Sequence, residues 1–265
     1  MIRTDLTNEQ YHAHHALSSS DIKAAAKSLA HWKGAERKES PALDIGTAFH
    51  EMTLEPELRG RIIRGPETRR GNAWKEAQEE ANASGQLLLT QGDYDLCNAM
   101  SESALRNPTL AKQIHHEDAK IEHSIFVTCP VTGLELRTRP DLYNPTTGVV
   151  VDLKSTTDAS PDRGGFEKHI FSFKYDLQGA FYKYCLELAN INVSYFLLAA
   201  VEKSAPYATC CHVLSGEVLD HAHRRMMKIL HRIKQANEEG VYPTDWPKFH
   251  MVHLPEWMKL QTEEL

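Results

Sequence analysis

The run at residues 137–156, RTRPDLYNPTTGVVVDLKST, constrains the fold of this chain more than any other stretch. At its centre Asn144-Pro145-Thr146-Thr147-Gly148 reads as a turn. Proline fixes φ there and glycine permits a positive φ. The flanks, 134–143 and 149–154, are rich in strand-forming residues. A hairpin over this turn brings Asp141 back beside Asp152, eleven positions further on. Residues two apart on a strand share a face, so Asp152 and Lys154 project together. Val149-Val150-Val151 predicts a buried strand, and a carboxylate at the end of a buried strand needs a compensating partner. Two acids and one amine at the rim of a sheet therefore predict a divalent-metal site. Mg²⁺ takes hard oxygen ligands and is usually held by one or two carboxylates plus substrate phosphate. A lysine beside it can orient the attacking water or take its proton. Asp-x-Lys alone is as common on ordinary surfaces; the apolar run before it makes the difference.

The remaining pattern predicts an α/β fold, a central mixed β-sheet flanked by helices. Ser18-Ser19-Ser20-Asp21 opens a capped helix running through Trp32. A second helix, Pro41–Leu54, ends at Pro56 and carries Gly46 and His50 four apart on one face. The small Gly46 would let a neighbouring element approach closely, with His50 facing inward. Helices are expected at 72–83 and 93–106, with an extended segment at 86–90 between them. Strands at 120–128 and 134–143 precede the strand at 149–154, giving three antiparallel strands in succession. Residues 161–170 read as a short helix or loop. Tyr175–Leu188 reads as a helix with Gln178 and Tyr182 four apart, followed by strands at 193–201 and 207–214 and a helix to Glu239. The proline-containing tail from Tyr242 is expected to be irregular and to pack on a neighbour. All 265 residues form one domain in this reading, with a helical part at 11–110, a sheet core at 118–214 and a C-terminal helix and tail at 215–265.

Composition narrows the function classes. With 41% apolar and 25% charged residues the chain is not of a disordered type. No apolar run approaches the roughly 18 to 20 residues of a membrane span. The start, MIRTDLTNEQ, has no signal-peptide core, so a cytoplasmic location is expected. A net charge of −6 does not favour nucleic-acid binding, but local charge matters more. Arg59, Arg61, Arg64, Arg69 and Arg70 crowd one segment, Arg139 precedes Asp141, and a second basic segment spans 223–234. Arg64, Arg69, Arg70 and Arg139 are candidate phosphate contacts, the source of most sequence-independent DNA affinity; solvated surface is the alternative, above all for the second segment. The five cysteines, 97, 129, 185, 210 and 211, fit neither a disulfide framework nor a zinc spacing. No Walker A loop occurs.

Pro140-Asp141 with Asp152-Leu153-Lys154 resembles the signature of PD-(D/E)xK nucleases. Gly46-Thr47-Ala48-Phe49-His50 resembles the G-x-x-x-H motif of RecB-like members, and Gln178-Gly179-Ala180-Phe181-Tyr182 their Q-x-x-x-Y motif. LSSSDIK with SLAHW, TAFHEMTLEPE and RRGNAW resemble the RecE-type (exonuclease VIII) nuclease domain in particular. The resemblance covers about residues 11 to 200; each piece is short, and their common order makes them specific. It implies a metal-dependent exodeoxyribonuclease that degrades one strand of linear duplex DNA, 5′ to 3′ and processively, without ATP. The resulting 3′ overhangs would serve recombination by strand annealing. His50, Asp141, Asp152 and the Leu153 carbonyl would hold Mg²⁺ or Mn²⁺, one or two ions per site. Lys154 would handle the water, Gln178 and Tyr182 would support the site, and Glu122 is a candidate third carboxylate. The implied partners are double-stranded DNA ends, further copies in a closed ring, with a tetramer favoured, and a single-strand annealing protein. The alternatives are another RecB-like nuclease, of iron–sulfur or endonuclease type, a DNA-binding module without catalysis, and a hydrolase of small phosphates.

Overall fold

The computed structural model describes residues 1–35, 41–162, 164–254 and 258. The N-terminal part is β1 (Ile2–Arg3), α1 (Asn8–Ala13), α2 (Ser19–Ala25), α3 (Leu29–Lys33) and α4 (Pro41–Leu54). A 3-10 turn at Pro56–Arg61 leads to β2 (Ile62–Arg64), α5 (Asn72–Ser84), β3 (Leu87–Leu89), α6 (Gln91–Arg106) and α7 (Pro108–Ile114). The centre is strand-rich: β4 (Lys120–Ile121), β5 (Ser124–Thr128), β6 (Glu135–Thr138), β7 (Leu142–Asn144) and β8 (Val149–Thr156). Then come α8 (Phe166–Ser172), α9 (Tyr175–Leu188), β9 (Tyr195–Glu202), β10 (Thr209–Leu214) and α10 (Gly216–Glu239).

The main sheet has five strands in the order β10-β9-β8-β7-β4. It is mixed: β8 runs parallel to β9, and the other neighbours are antiparallel. The expected hairpin joins β7 to β8, with Leu142 opposite Val151 and Asn144 opposite Val149. Its turn is built by Asn144, whose Oδ1 accepts the N–H groups of Thr146 (2.9 Å) and Thr147 (3.0 Å). Gly148 closes it at φ +69°, where a Cβ would lie 2.6 Å from Ser194 Oγ.

Side chains alternate across β8 and divide the core. Val149, Val151 and Leu153 pack on the side of α4 and α6 with Phe49, Met52, Cys97 and Met100. Val150 faces the other way, with Leu177, Phe181, Leu198 and Met226, towards α9 and α10. Asp152 and Lys154 share the face of Val150, in the middle and second half of the strand.

Two strands expected as continuous are broken, and the breaks meet. The segment 120–128 divides at Glu122, whose φ of +54° leaves the extended region, and 134–143 divides around Pro140. Proline has no N–H to donate to a ladder. The halves enter different sheets: β4 and β7 join the main sheet, while β5 and β6 form a three-stranded sheet with β1. The Glu122 N–H donates to Asp141 O at 3.2 Å, so both chains cross between the sheets at the same level. The expected N-terminal helix is likewise two helices. Ser18 and Asp21 form a capping box on α2, and Ser28 caps α3 by accepting the His31 N–H at 3.1 Å. The described part of the tail, 242–254, is irregular, as expected, but it begins by packing on its own chain: Pro243 O accepts from Ala30 N–H at 3.2 Å, and Tyr242 lies 6.0 Å from Trp32. No helix among the described residues is long and apolar enough to cross a membrane.

Candidate active site

At the crossing of the two sheets, elements far apart in sequence deliver polar side chains to one spot. The register that pairs Leu142 with Val151 sets Asp141 opposite Asp152. Asp141 is buried, and its Oδ2 accepts the Leu153 N–H at 2.6 Å. His50, one turn from the end of α4, places Nδ1 3.5 Å from Asp141 Oδ2 and Nε2 3.0 Å from Leu153 O. A neutral imidazole has one donor and one acceptor nitrogen. Either tautomer therefore turns a lone pair on an oxygen, and only a bound cation or a second proton satisfies both contacts.

Ligand atoms of His50, Glu122 and Asp141 all lie within 4.8 Å of one another. A cation bound about 2.0 to 2.6 Å from each donor holds its donors at such separations. The left-handed backbone at Glu122 turns its carboxylate towards Asp141 instead of along the strand face. Asp152 stands beside this cluster rather than in it. Its Oδ1 accepts from Gln178 Nε2 at 2.7 Å, and its Oδ2 makes an ion pair with Lys154 Nζ but no well-directed hydrogen bond. That oxygen, and the nitrogen and oxygen donors of His50, Glu122, Asp141 and the Leu153 carbonyl, suit a hard divalent cation.

The electrostatics agree. Burial pushes the Asp141 carboxyl above its ordinary range; His50 opposes this and Asp152 adds to it. Burial, and next the charge of Asp141, holds Glu122 well above its ordinary range. Burial alone would lower Lys154, but the attraction of Asp152 and Asp141 outweighs it and the ammonium is held raised. Acids crowded this way ionise together only when positive charge joins them. Glu122 and His50 open on a cleft of about 590 Å³, also lined by Glu51, Glu55, Arg61 and Arg139. A larger cavity of about 790 Å³ beside His14, Phe126 and Glu135 touches none of these groups.

Gln178 and Tyr182 lie on the inner face of α9, where Gln178 Nε2 also donates to the Tyr182 hydroxyl at 3.1 Å. Sequence reasoning missed Lys23 of α2, whose Nζ donates to Gln178 Oε1 at 2.6 Å, and Tyr175, whose ring lies under both Lys23 (4.8 Å) and Lys154 (5.0 Å). Lys23 belongs to the LSSSDIK stretch, but no spacing ties it to a helix 155 positions away. Glu51 and Glu55, also missed, sit on the cleft wall beside His50, each raised by burial. Gly46 does not serve close packing: a Cβ there meets nothing within 4 Å, and the residue lines the cleft.

The arginines are less uniform than expected. Arg64 is bidentate to Asp95 (2.9 and 2.8 Å), and Arg69 bridges Asp44 (3.1 Å) and Asp93 (3.2 Å), so both charges are already paired. Arg70 is exposed. Arg139 stacks over Tyr11 at 4.3 Å, donates to Ser124 Oγ and Leu6 O, and borders the cleft. On α10, Arg225 pairs with Asp176 at 2.7 Å and Arg232 with Asp245. All five cysteines are free, and no three come together as ligands among the described residues.

A mixed sheet carrying an Asp on one hairpin arm and an Asp-x-Lys on the other defines a PDDEXK-like domain. The chain belongs to the family described as "PDDEXK-like domain of unknown function" (DUF3799), whose profile matches residues 13–252. A solved structure from Eubacterium rectale, of a protein provisionally named an exonuclease, is similar over 97% of this chain and 98% of its own, with a TM-score of 0.63 at 16% identity. A phage-related exonuclease from Haemophilus somnus 129PT aligns over 86% of this chain and 97% of its own, with a TM-score of 0.40 at 12% identity. Comparison with curated proteins gives no match.

Proposed function

We propose that this protein is a divalent-metal-dependent deoxyribonuclease that degrades one strand of linear duplex DNA from its 5′ end. The observation that carries the reading is the convergence of His50, Glu122 and Asp141 within 4.8 Å, with Asp152 and Lys154 in register beside them. Mg²⁺ or Mn²⁺ in this site supplies a Lewis acid that polarises a phosphoryl oxygen and makes water a better nucleophile. The protein's part is to hold it and to arrange the reactants. His50, Asp141, Asp152 and the Leu153 carbonyl would hold the ion, with Glu122 completing the set on the cleft side. Lys154, held against Asp152, orients the attacking water and offsets charge on the phosphorane-like transition state. Water adds to phosphorus, the O3′ bond breaks, and a 5′-phosphate and a 3′-hydroxyl result. Gln178 and Tyr182 keep Asp152 in place, and Arg70 and Arg139 are the candidate phosphate contacts left once the paired arginines are set aside.

Exonucleolytic polarity, processivity, a tetrameric ring, a cytoplasmic setting and pairing with a single-strand annealing protein complete the RecE-type reading. They rest on the motif resemblance. The free, scattered cysteines weigh against the iron–sulfur alternative. The test is linear duplex DNA labelled at one 5′ end, with Mg²⁺, run beside closed circular DNA. We expect release of labelled mononucleotide and no cutting of the circle. Lys154→Ala and Asp152→Asn should each lower the rate on the order of a hundredfold or more. Wild-type rates in either variant refute the mechanism, and cutting of the circle moves the assignment to an endonuclease.

A further inference from the structure

A glutamine amide has a donor end and an acceptor end, and its orientation is set by its partners. Gln178 Nε2 donates to Asp152 Oδ1 at 2.7 Å and to the Tyr182 hydroxyl at 3.1 Å, while Oε1 accepts from Lys23 Nζ at 2.6 Å. Among the described residues Lys23 alone is bonded to that oxygen. The reversed amide would turn its oxygen on the Asp152 carboxylate, and its NH₂ on a group that, as an ammonium, only donates. We propose that Lys23 is a positioning residue of this site: it fixes the Gln178 amide, and through it holds Asp152 by Oδ1, leaving Oδ2, the oxygen paired with Lys154, to serve a metal ion.

The setting supports the assignment. Lys23 is anchored by α2, whose capping residue Asp21 also accepts the Trp32 indole N–H at 3.0 Å. The Tyr175 ring lies under both the Lys23 and Lys154 amines, at 4.8 and 5.0 Å, and gives each an apolar seat. Burial, and next the charge of Lys154, lowers Lys23 to about 7. Charged or neutral, the amine keeps N–H groups for Oε1, so the orientation survives its titration. This inference rests on the metal site proposed above, but metal binding and DNA cleavage separate the two.

The experiment is a double-mutant cycle read by Mn²⁺ calorimetry on wild type, Lys23→Met, Gln178→Leu and the double variant. Residues that orient metal ligands are worth about 10- to 100-fold in affinity. We expect each single change to weaken Mn²⁺ binding on the order of tenfold, the double variant to be no weaker than Gln178→Leu, and Lys23→Arg to bind like wild type. On DNA, Lys23→Met should lower kcat with KM unchanged. Independent, multiplying losses in the cycle overturn the proposal, as does a KM effect without a kcat effect, which would mean that Lys23 touches DNA directly. Should Lys23→Met not fold, Lys23→Gln carries the same cycle, because its amide can donate or accept and no longer dictates the orientation. Mn²⁺ binding with the coupled pattern but no DNA cleavage upholds the role of Lys23 and removes the nuclease reading. Absence of Mn²⁺ binding in wild type overturns both.

Discussion

Asp141 and Glu122 are acids that the fold makes reluctant to ionise, chiefly by burial. In the unfolded chain such carboxyls titrate near pH 4. Above that pH the folded state still holds protons the unfolded chain has released, so stability falls as pH rises through the window between the two values. Metal-free protein should therefore lose stability to urea from pH 5 to pH 8. Glu122→Gln should flatten this slope and add on the order of 1 kcal/mol at pH 8, while weakening Mn²⁺ binding about tenfold. An unchanged slope would show that Glu122 does not hold the extra proton. Metal binding to wild type should release protons and tighten with pH over the same window. At this scale Asp141, Asp152 and Lys154 were legible because turn chemistry and a two-residue period fix which side chains meet. His50 was legible only through its motif. Lys23, Glu51 and Glu55 were not, because their roles depend on which helix packs against which strand, and local pattern carries no such information.

The element scale shows where pattern reading stops. Alternation identified the segments 120–128 and 134–143 as extended, and most of their residues do lie in strands. It could not show that each segment leaves one sheet and enters another, because the cost of breaking at Glu122 and Pro140 is offset by tertiary pairing between the two breaks. The site depends on this feature, since an unbroken strand would carry Glu122 past Asp141 instead of towards it. The β7–β8 hairpin is equally exacting. Gly148→Ala forces a left-handed residue with a Cβ against Ser194 Oγ and the Ser194 backbone nitrogen. It should cost about 1 to 3 kcal/mol in urea unfolding and reduce metal affinity, because the register that sets Asp141 opposite Asp152 is pinned there. Gly179→Ala, whose added methyl meets the side-chain end Leu214 Cδ1 at 2.8 Å and no backbone atom among its nearest contacts, should cost less. The reverse order would mean that the helix α9 seat, rather than the turn, is the stiffer element.

For the whole molecule the question is how a chain with net charge −6 would stay on the polyanion that the proposed activity requires. Arg64 and Arg69 are neutralised by acidic neighbours, and the cleft beside the site is lined by three glutamates with two arginines. Electrostatic affinity alone is a weak tether here, and it weakens further with salt. A ring closed around DNA holds its track by topology, which is why self-association matters to the proposed activity. The tail offers a surface for it: past its anchor on α3, Phe249 is 84% and Val252 85% exposed, with Met251 and Leu254 beside them. Exposed apolar side chains gathered in one short segment offer a contact surface. We expect wild type to sediment as an oligomer and the Phe249→Ser, Val252→Ser variant to sediment as a monomer. The same variant should shorten the stretch of DNA removed per binding event in the presence of competitor DNA, with the rate of a single cut unchanged because no catalytic group is altered. A wild type that sediments as a monomer, or a variant that loses its cutting rate along with its processivity, would disconnect the tail from assembly and remove the ring from the proposed activity.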